Sequence, residues 1–84
     1  MSSKHRRTIA AVFEDPVRSS ILWNDVVSLL LHVGATMRQG SGSRVRVMLR
    51  GKRVTLHRPH PQKEVNTYTV RDLREFLHRT GVVR

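Results

Sequence analysis

The 84-residue chain has no cysteine, few acidic residues, few aromatic residues and no long apolar run. Without cysteine it can form neither a disulfide framework nor a thiolate metal site, and this fits a reducing cytoplasm. No segment approaches the roughly 18 apolar residues of a membrane-spanning helix. The apolar run at residues 9–13 is also shorter than the core of about 7–15 residues in a secretory signal. We therefore expect a cytoplasmic protein without a membrane segment.

The length allows one domain, because a chain of this size can bury only roughly 60–65% of its surface on folding. Two-domain enzymes and folds that span a large cofactor are excluded. Residues 1–7 include nothing suited to burial. We therefore expect a mobile basic arm at residues 1–7 and a single domain at residues 8–84.

Positive charge is abundant: sixteen Lys and Arg oppose six acidic residues, and the formal net charge is +10. Thirteen of the sixteen cations are Arg, whose planar guanidinium can bind a phosphate through two parallel N–H bonds. The expected partner of such a small basic chain is a polyanion, most commonly a nucleic acid. A basic surface that serves only solubility is the alternative.

Apolar residues at helical spacing predict two helices in the first half of the chain. The first, at residues 8–14, ends before Pro16, because a residue that precedes proline avoids the helical conformation. The second, at residues 24–33, has Asn24 as its expected N-cap and Gly34 after its end.

Alternation of apolar and polar residues predicts strands in the next part. Residues 44–49 and 53–57 alternate on either side of the turn 50–52, which contains glycine. This pattern is typical of an antiparallel β-hairpin. A further strand is predicted at residues 35–38.

The sheet is expected to end at Pro59, since proline cannot donate to a β-ladder. A third helix is predicted to begin with the capping sequence at residues 69–72, with Gly81 beyond its end. The resulting order α, α, β, β, β, α predicts an α+β fold. Its helices would pack on one face of a three-stranded antiparallel sheet, and the short helix at residues 8–14 would be an extra N-terminal element.

Seven cations and no acidic residue lie between residues 38 and 58. Strand alternation places Arg44, Arg46 and Arg53 on the hairpin face opposite the apolar one, where we expect RNA phosphates to bind. An ordinary solvated sheet face is the alternative. No aromatic residue interleaves with this hairpin, so base stacking is not expected. The predicted RNA-contacting residues are Arg38, Arg44, Arg46, Arg50, Lys52, Arg53 and Arg58.

DNA binding through the last helix is a further alternative. Arg71, Arg74 and Arg79 lie on the predicted polar side of that helix. However, Glu75 is four residues from both Arg71 and Arg79, and such neighbours can pair with each other.

Two histidines stand at the end of the hairpin. His57 and His60 are three residues apart, and Pro59 and Pro61 restrict the backbone around His60. RNA transesterification needs a base for the 2′-hydroxyl, an acid for the leaving oxygen and cations for the phosphate. His57 and His60 are therefore candidate acid–base residues, with loop histidines of no catalytic role as the alternative. We expect no metal site, because the chain has no cysteine and Glu64 is the only acidic residue close to the two histidines. We also expect no cofactor, because phosphate-binding loops and dinucleotide-binding motifs are missing.

The order of these features resembles the HicA family over about residues 20–83. The features are the helix ending at Gly34, then Gly42-Ser43, the basic hairpin, Pro59-His60-Pro61 and the last helix ending at Gly81. HicA proteins are small bacterial toxins of toxin–antitoxin pairs, with a fold similar to double-stranded-RNA-binding domains. The resemblance implies an mRNA interferase that cleaves RNA without metal or cofactor and inhibits translation. It also implies a HicB-like antitoxin that masks the RNA-facing surface.

One position departs from the family pattern. The family has Gly-Ser-His with a catalytic His, whereas counting back without a gap from Pro59-His60-Pro61 gives Gly42, Ser43 and Arg44 in this chain. Gly40-Ser41 is the alternative for the Gly-Ser position. Arginine stays protonated and cannot act as a base, although it can hold a phosphate. Three outcomes are open: His60 or His57 transfers the protons, cleavage is slow and electrostatic, or the chain is a non-catalytic RNA-binding module. We favour metal-independent cleavage by 2′-hydroxyl attack.

Overall fold

The computed structural model describes residues 2–18 and 20–84. Met1 of the predicted arm and Ser19 of the predicted link between the first two helices lie outside the described residues. The elements are α1 (Ser3–Val12), α2 (Trp23–His32), β1 (Thr36–Gln39), β2 (Arg44–Leu49), β3 (Lys52–His57) and α3 (Thr67–Arg79). Their order and layering confirm the predicted α+β fold, and they fit the arrangement of a double-stranded-RNA-binding domain.

The sheet is antiparallel with the strand order β1-β2-β3. Val45 pairs with Leu56 and Val47 with Val54, so apolar side chains of neighbouring strands share one face. A two-residue turn joins β2 and β3. Arg50 and Gly51 in this turn have φ values of 51° and 77°, as the common tight hairpin turn requires at both central positions.

α2 and α3 pack on one face of the sheet and enclose the core with it. Side chains at helical spacing on α3, among them Leu73 and Phe76, are fully buried. They meet Val47 and Leu56 of the sheet and Leu29 of α2 in one apolar cluster. α3 packs on β3, and α1 packs against both other helices. No helix within residues 2–18 and 20–84 has the length and apolar content needed to cross a membrane.

The predicted start of the first helix was wrong. α1 begins at Ser3 rather than at residue 8, so it includes most of the segment predicted as an arm. The backbone N–H of His5 donates to the hydroxyl of Ser2 at 3.3 Å, which caps the helix. Apolar periodicity could not show this turn, because its side chains are polar.

Contacts with α2 hold this first turn against the domain. Lys4 Nζ lies 3.8 Å from a carboxylate oxygen of Asp25. The rings of His5 and His32 stack with 4.3 Å between their centroids. Residues 3–7 are therefore docked on α2.

Both predicted N-caps were wrong. α2 begins at Trp23, and its N-cap residue Leu22 makes no side-chain capping bond, so Asn24 lies inside the helix. α3 is capped by Asn66, whose side-chain oxygen accepts from the N–H of Thr69 at 3.0 Å. Thr69 is a buried residue of the first turn. Asparagine is a favoured N-cap, so the sequence did carry the correct signal.

Candidate nucleic-acid interface

The sheet face opposite the core carries four exposed arginines, Arg38, Arg44, Arg46 and Arg53. We call this the outer face. Arg38 is directly opposite Arg46, where like charges repel each other across the strands. Within the described residues, none of the four forms an ion pair with an acidic side chain. The outer face is therefore an uncompensated cationic surface.

A shallow groove of about 620 Å³ crosses the outer face. Arg38, Arg46 and Arg53 line it together with Met48, whose side chain is 50% exposed. The register explains this arrangement, because Met48 pairs with Arg53 while Arg46 pairs with Thr55. The groove can thus offer guanidinium groups to phosphates and an apolar contact beside them.

Three predicted RNA-contacting residues lie elsewhere. Arg50 is in the hairpin turn, and its Nη1 donates to the carbonyl of Thr80 at 2.7 Å, at the end of α3. Lys52 is exposed at the start of β3, at the opposite end of the strand from His57, and strand alternation places it on the same side of the sheet as Val54 and Leu56. Arg58 follows β3, and its backbone N–H donates to the carbonyl of Ser43 at 2.7 Å. Of these three, only Arg58 lies beside the predicted catalytic residues.

The predicted catalytic residues come together at one end of the hairpin. His57 and His60 line one cavity of about 610 Å³, which we call the histidine cavity, together with Ser43 and Tyr68. His57 is half-buried and His60 is exposed. Arg44 pairs directly with His57 across the two strands. Two imidazoles and one guanidinium are therefore available at the same end of the sheet.

The motif residues also meet there. Gly42 and Ser43 of the β1–β2 loop line a small cavity with Pro59 and His60, whose neighbour Pro61 continues the loop. Gly42 has a φ of 64°, a left-handed conformation that glycine adopts without strain. The Gly42-Ser43 and Pro59-His60-Pro61 motifs are thus neighbours in space. Among the described residues, no three His, Asp or Glu side chains are placed to hold a metal ion.

An aromatic residue that was not among the predicted site residues, Tyr68, borders the histidine cavity. The rings of Tyr68 and His57 meet edge to face, with 5.6 Å between their centroids. No aromatic residue interleaves with the basic hairpin in sequence, but the fold brings Tyr68 of α3 to the end of the hairpin. The incorrect cap at Thr69 had placed Tyr68 outside the helix, whereas the capping signal of Asn66 would have placed it in the first turn.

The arginines of α3 do not form the exposed row that the DNA-binding alternative requires. The Arg74 guanidinium donates to the carbonyls of Val12 and Glu14 at the end of α1. Arg79 lies 3.9 Å from a carboxylate oxygen of Glu75. Two of the three arginines are therefore engaged in contacts within the domain.

One comparison with known proteins gives a match. The model of a protein family described as the HicA toxin of bacterial toxin–antitoxin systems matches residues 23–82. The matched segment begins with α2 and includes the sheet, the histidine cavity and α3, whereas α1 precedes it. No curated protein and no solved structure gives a significant match.

Proposed function

Because this chain belongs to the HicA family of toxins from bacterial toxin–antitoxin systems, we propose that it is a cytoplasmic mRNA interferase, an endoribonuclease that stops translation by cutting mRNA. One observation supports this proposal above the others. His57, His60 and Arg44 lie at the same end of a sheet whose outer face carries guanidinium groups without an acidic partner in the described part of the chain.

The proposed reaction is an internal transesterification. One imidazole removes the proton from a ribose 2′-hydroxyl, and the resulting oxygen forms a bond to the adjacent phosphorus. The bond from phosphorus to the 5′-oxygen breaks as the other imidazole, in its protonated form, donates a proton to that leaving oxygen. Arg44 stabilises the extra negative charge on the phosphoryl oxygens. The products are a 2′,3′-cyclic phosphate and a 5′-hydroxyl end.

The outer face is proposed to hold the RNA strand on one side of this reaction. Arg38, Arg46 and Arg53 are exposed around the groove, so they can contact successive phosphates. Such contacts do not depend on base sequence. The 2′-hydroxyl is the attacking group, and DNA lacks it. DNA is therefore bound by this surface but is not cut.

The same surface is proposed to bind the antitoxin partner. A member of this family acts with an antitoxin, and a HicB-like protein with acidic residues opposite Arg38, Arg46 and Arg53 would exclude RNA from the groove. Co-expression should then yield a complex and restore growth.

The test of the proposed function is cleavage of RNA by the purified protein in EDTA. We expect the wild type to cut and the double variant His57→Ala/His60→Ala to lose activity by at least about 100-fold, as removal of a general acid–base does. His78→Ala is the matched control, because His78 is exposed on α3 and remote in sequence from the hairpin. Circular dichroism would establish that each variant is folded.

Undiminished cutting by the double variant would reject the histidine assignment. Expression of the wild type, but not of the double variant, should also arrest growth.

A non-catalytic RNA-binding module is the second candidate function, and one residue favours it. Counting back without a gap from Pro59-His60-Pro61, Arg44 falls where the family pattern has its catalytic His, and arginine cannot act as a base at physiological pH. Intact RNA after prolonged incubation, together with binding that weakens strongly with salt, would select this function.

A further inference from the structure

Tyr68 is the one aromatic side chain that the fold leaves largely exposed. All four aromatic residues are in the described ranges. Phe76 is fully buried, Trp23 is 7% exposed and Phe13 is half-buried, whereas Tyr68 is 49% exposed. The core therefore accounts for the other three rings but not for that of Tyr68.

The ring also has a fixed position. Tyr68 lies in the first turn of α3, which Asn66 caps. Its contact with His57 is edge to face, with 71° between the ring planes. In such a contact one ring meets its neighbour with an edge, so the Tyr68 ring is held in place while half of its surface remains in contact with water.

The Tyr68 ring lies within one nucleotide length of His57, so an RNA strand bound in the histidine cavity can reach both residues. The centroids of the two rings are 5.6 Å apart, less than the length of one nucleotide. A phosphate that reacts between His57 and His60 would therefore bring a neighbouring base close to Tyr68. Arg44 lies beside His57 on the neighbouring strand, so phosphate, imidazole and aromatic contacts follow one another across this end of the sheet.

We propose that Tyr68 stacks on an unpaired nucleobase next to the scissile phosphate, so that the substrate is single-stranded RNA. The proposal rests on the proposed function. A base within a duplex is covered on both sides by its neighbours, and only an unstacked base can present a free face to the ring. Stacking is tolerant of base identity, because every base has such a face. Tyr68 would therefore position the strand without demanding one particular base.

The test measures binding of short oligonucleotides that cannot be cut. We would use 2′-O-methyl hexanucleotides, each with one abasic position, and measure affinity by fluorescence anisotropy. Loss of a stacked base weakens binding by about 5- to 150-fold. For the wild type, we expect one or two abasic positions to produce a loss of this size and the others to change little.

Variants of Tyr68 connect that loss to the ring. Tyr68→Leu keeps apolar volume but removes the aromatic face, so it should bind the intact hexanucleotide about 5- to 150-fold more weakly than the wild type does. This variant should bind the hexanucleotide with the sensitive abasic position as strongly as it binds the intact one. Tyr68→Phe should bind as the wild type does. Leu31→Ala is the control for an exposed apolar residue, since Leu31 is 56% exposed on α2.

The outcomes separate this inference from the proposed function. The inference would be overturned if the wild type bound every abasic hexanucleotide as tightly as the intact one. This outcome does not depend on whether Tyr68→Leu folds. The inference would also be overturned if removal of the base at the sensitive position weakened binding equally in the wild type and in Tyr68→Leu. Cleavage of ordinary RNA by the wild type tests the proposed function in the same experiment. If the wild type cleaves RNA but Tyr68→Leu leaves oligonucleotide binding unchanged, only the stacking role is rejected.

Discussion

Removal of two outer-face arginines should change how strongly RNA binding depends on salt. The double variant Arg46→Gln/Arg53→Gln removes two of the four exposed cations that the sheet presents away from the core. Each phosphate contact to a single strand contributes about −0.7 to the slope of log affinity against log salt concentration, because a bound counterion is released.

The expected magnitude follows from the number of arginines. Four contacts, from Arg38, Arg44, Arg46 and Arg53, predict a slope of about −2.8, and the double variant should show about −1.4. Between 50 and 200 mM salt, affinity should therefore fall roughly 50-fold for the wild type and roughly 7-fold for the double variant. The assay is anisotropy of a fluorescent 2′-O-methyl oligonucleotide at a series of salt concentrations.

A control with the same net charge makes this test specific. The double variant Arg71→Gln/Arg84→Gln removes two exposed arginines outside the sheet, and it should keep the wild-type slope. If this control flattened the slope as much as the outer-face variant does, binding would depend on overall charge or on α3. The assignment of the outer face would then be wrong.

Two further predictions concern the docking of α1. Arg74→Met removes hydrogen bonds to the carbonyls of Val12 and Glu14, so urea denaturation should show a loss of about 1.5–3 kcal/mol in unfolding free energy; a loss below about 0.5 kcal/mol would contradict this role. Partial burial, followed by the charges of His32 and Lys4, lowers the pKa of His5. The unfolded chain therefore binds the proton more readily, and stability should fall as the pH drops below about 6.5. Over the same pH range the urea midpoint of His5→Gln should fall less than that of the wild type. An equal fall in both proteins would refute protonation of His5 as the cause.

The periodicity of apolar residues predicted the helices and strands well where a segment buries one side against the core. The strand prediction at residues 44–49 is confirmed to the residue, and the helix predicted at residues 24–33 is displaced by one position. In both segments burial of alternate or helically spaced apolar residues determines the conformation. Alternation also placed the arginines of β2 on the exposed face, because a strand that buries Val45 and Val47 must expose the residues between them.

The elements that depend on polar contacts were not predictable in this way. Residues 3–7 have no apolar periodicity, and their helical turn depends on the Ser2 cap and on contacts with α2. Arg50 was predicted to contact RNA, but it donates to Thr80, thirty residues away in sequence. Contacts over such a separation have no local signal, because the two residues meet only after the helix has packed on the sheet.

The α+β element order, the cationic hairpin and the segment that carries the family motifs are all readable from the order of the residues. Each follows from local spacing or from residue type. The proximity of Gly42 to His60 and the contact between Tyr68 and His57 arise only once the chain has folded. The chain turns back after β3, and burial of the apolar side of α3 against the sheet brings the first turn of that helix to the histidine cavity.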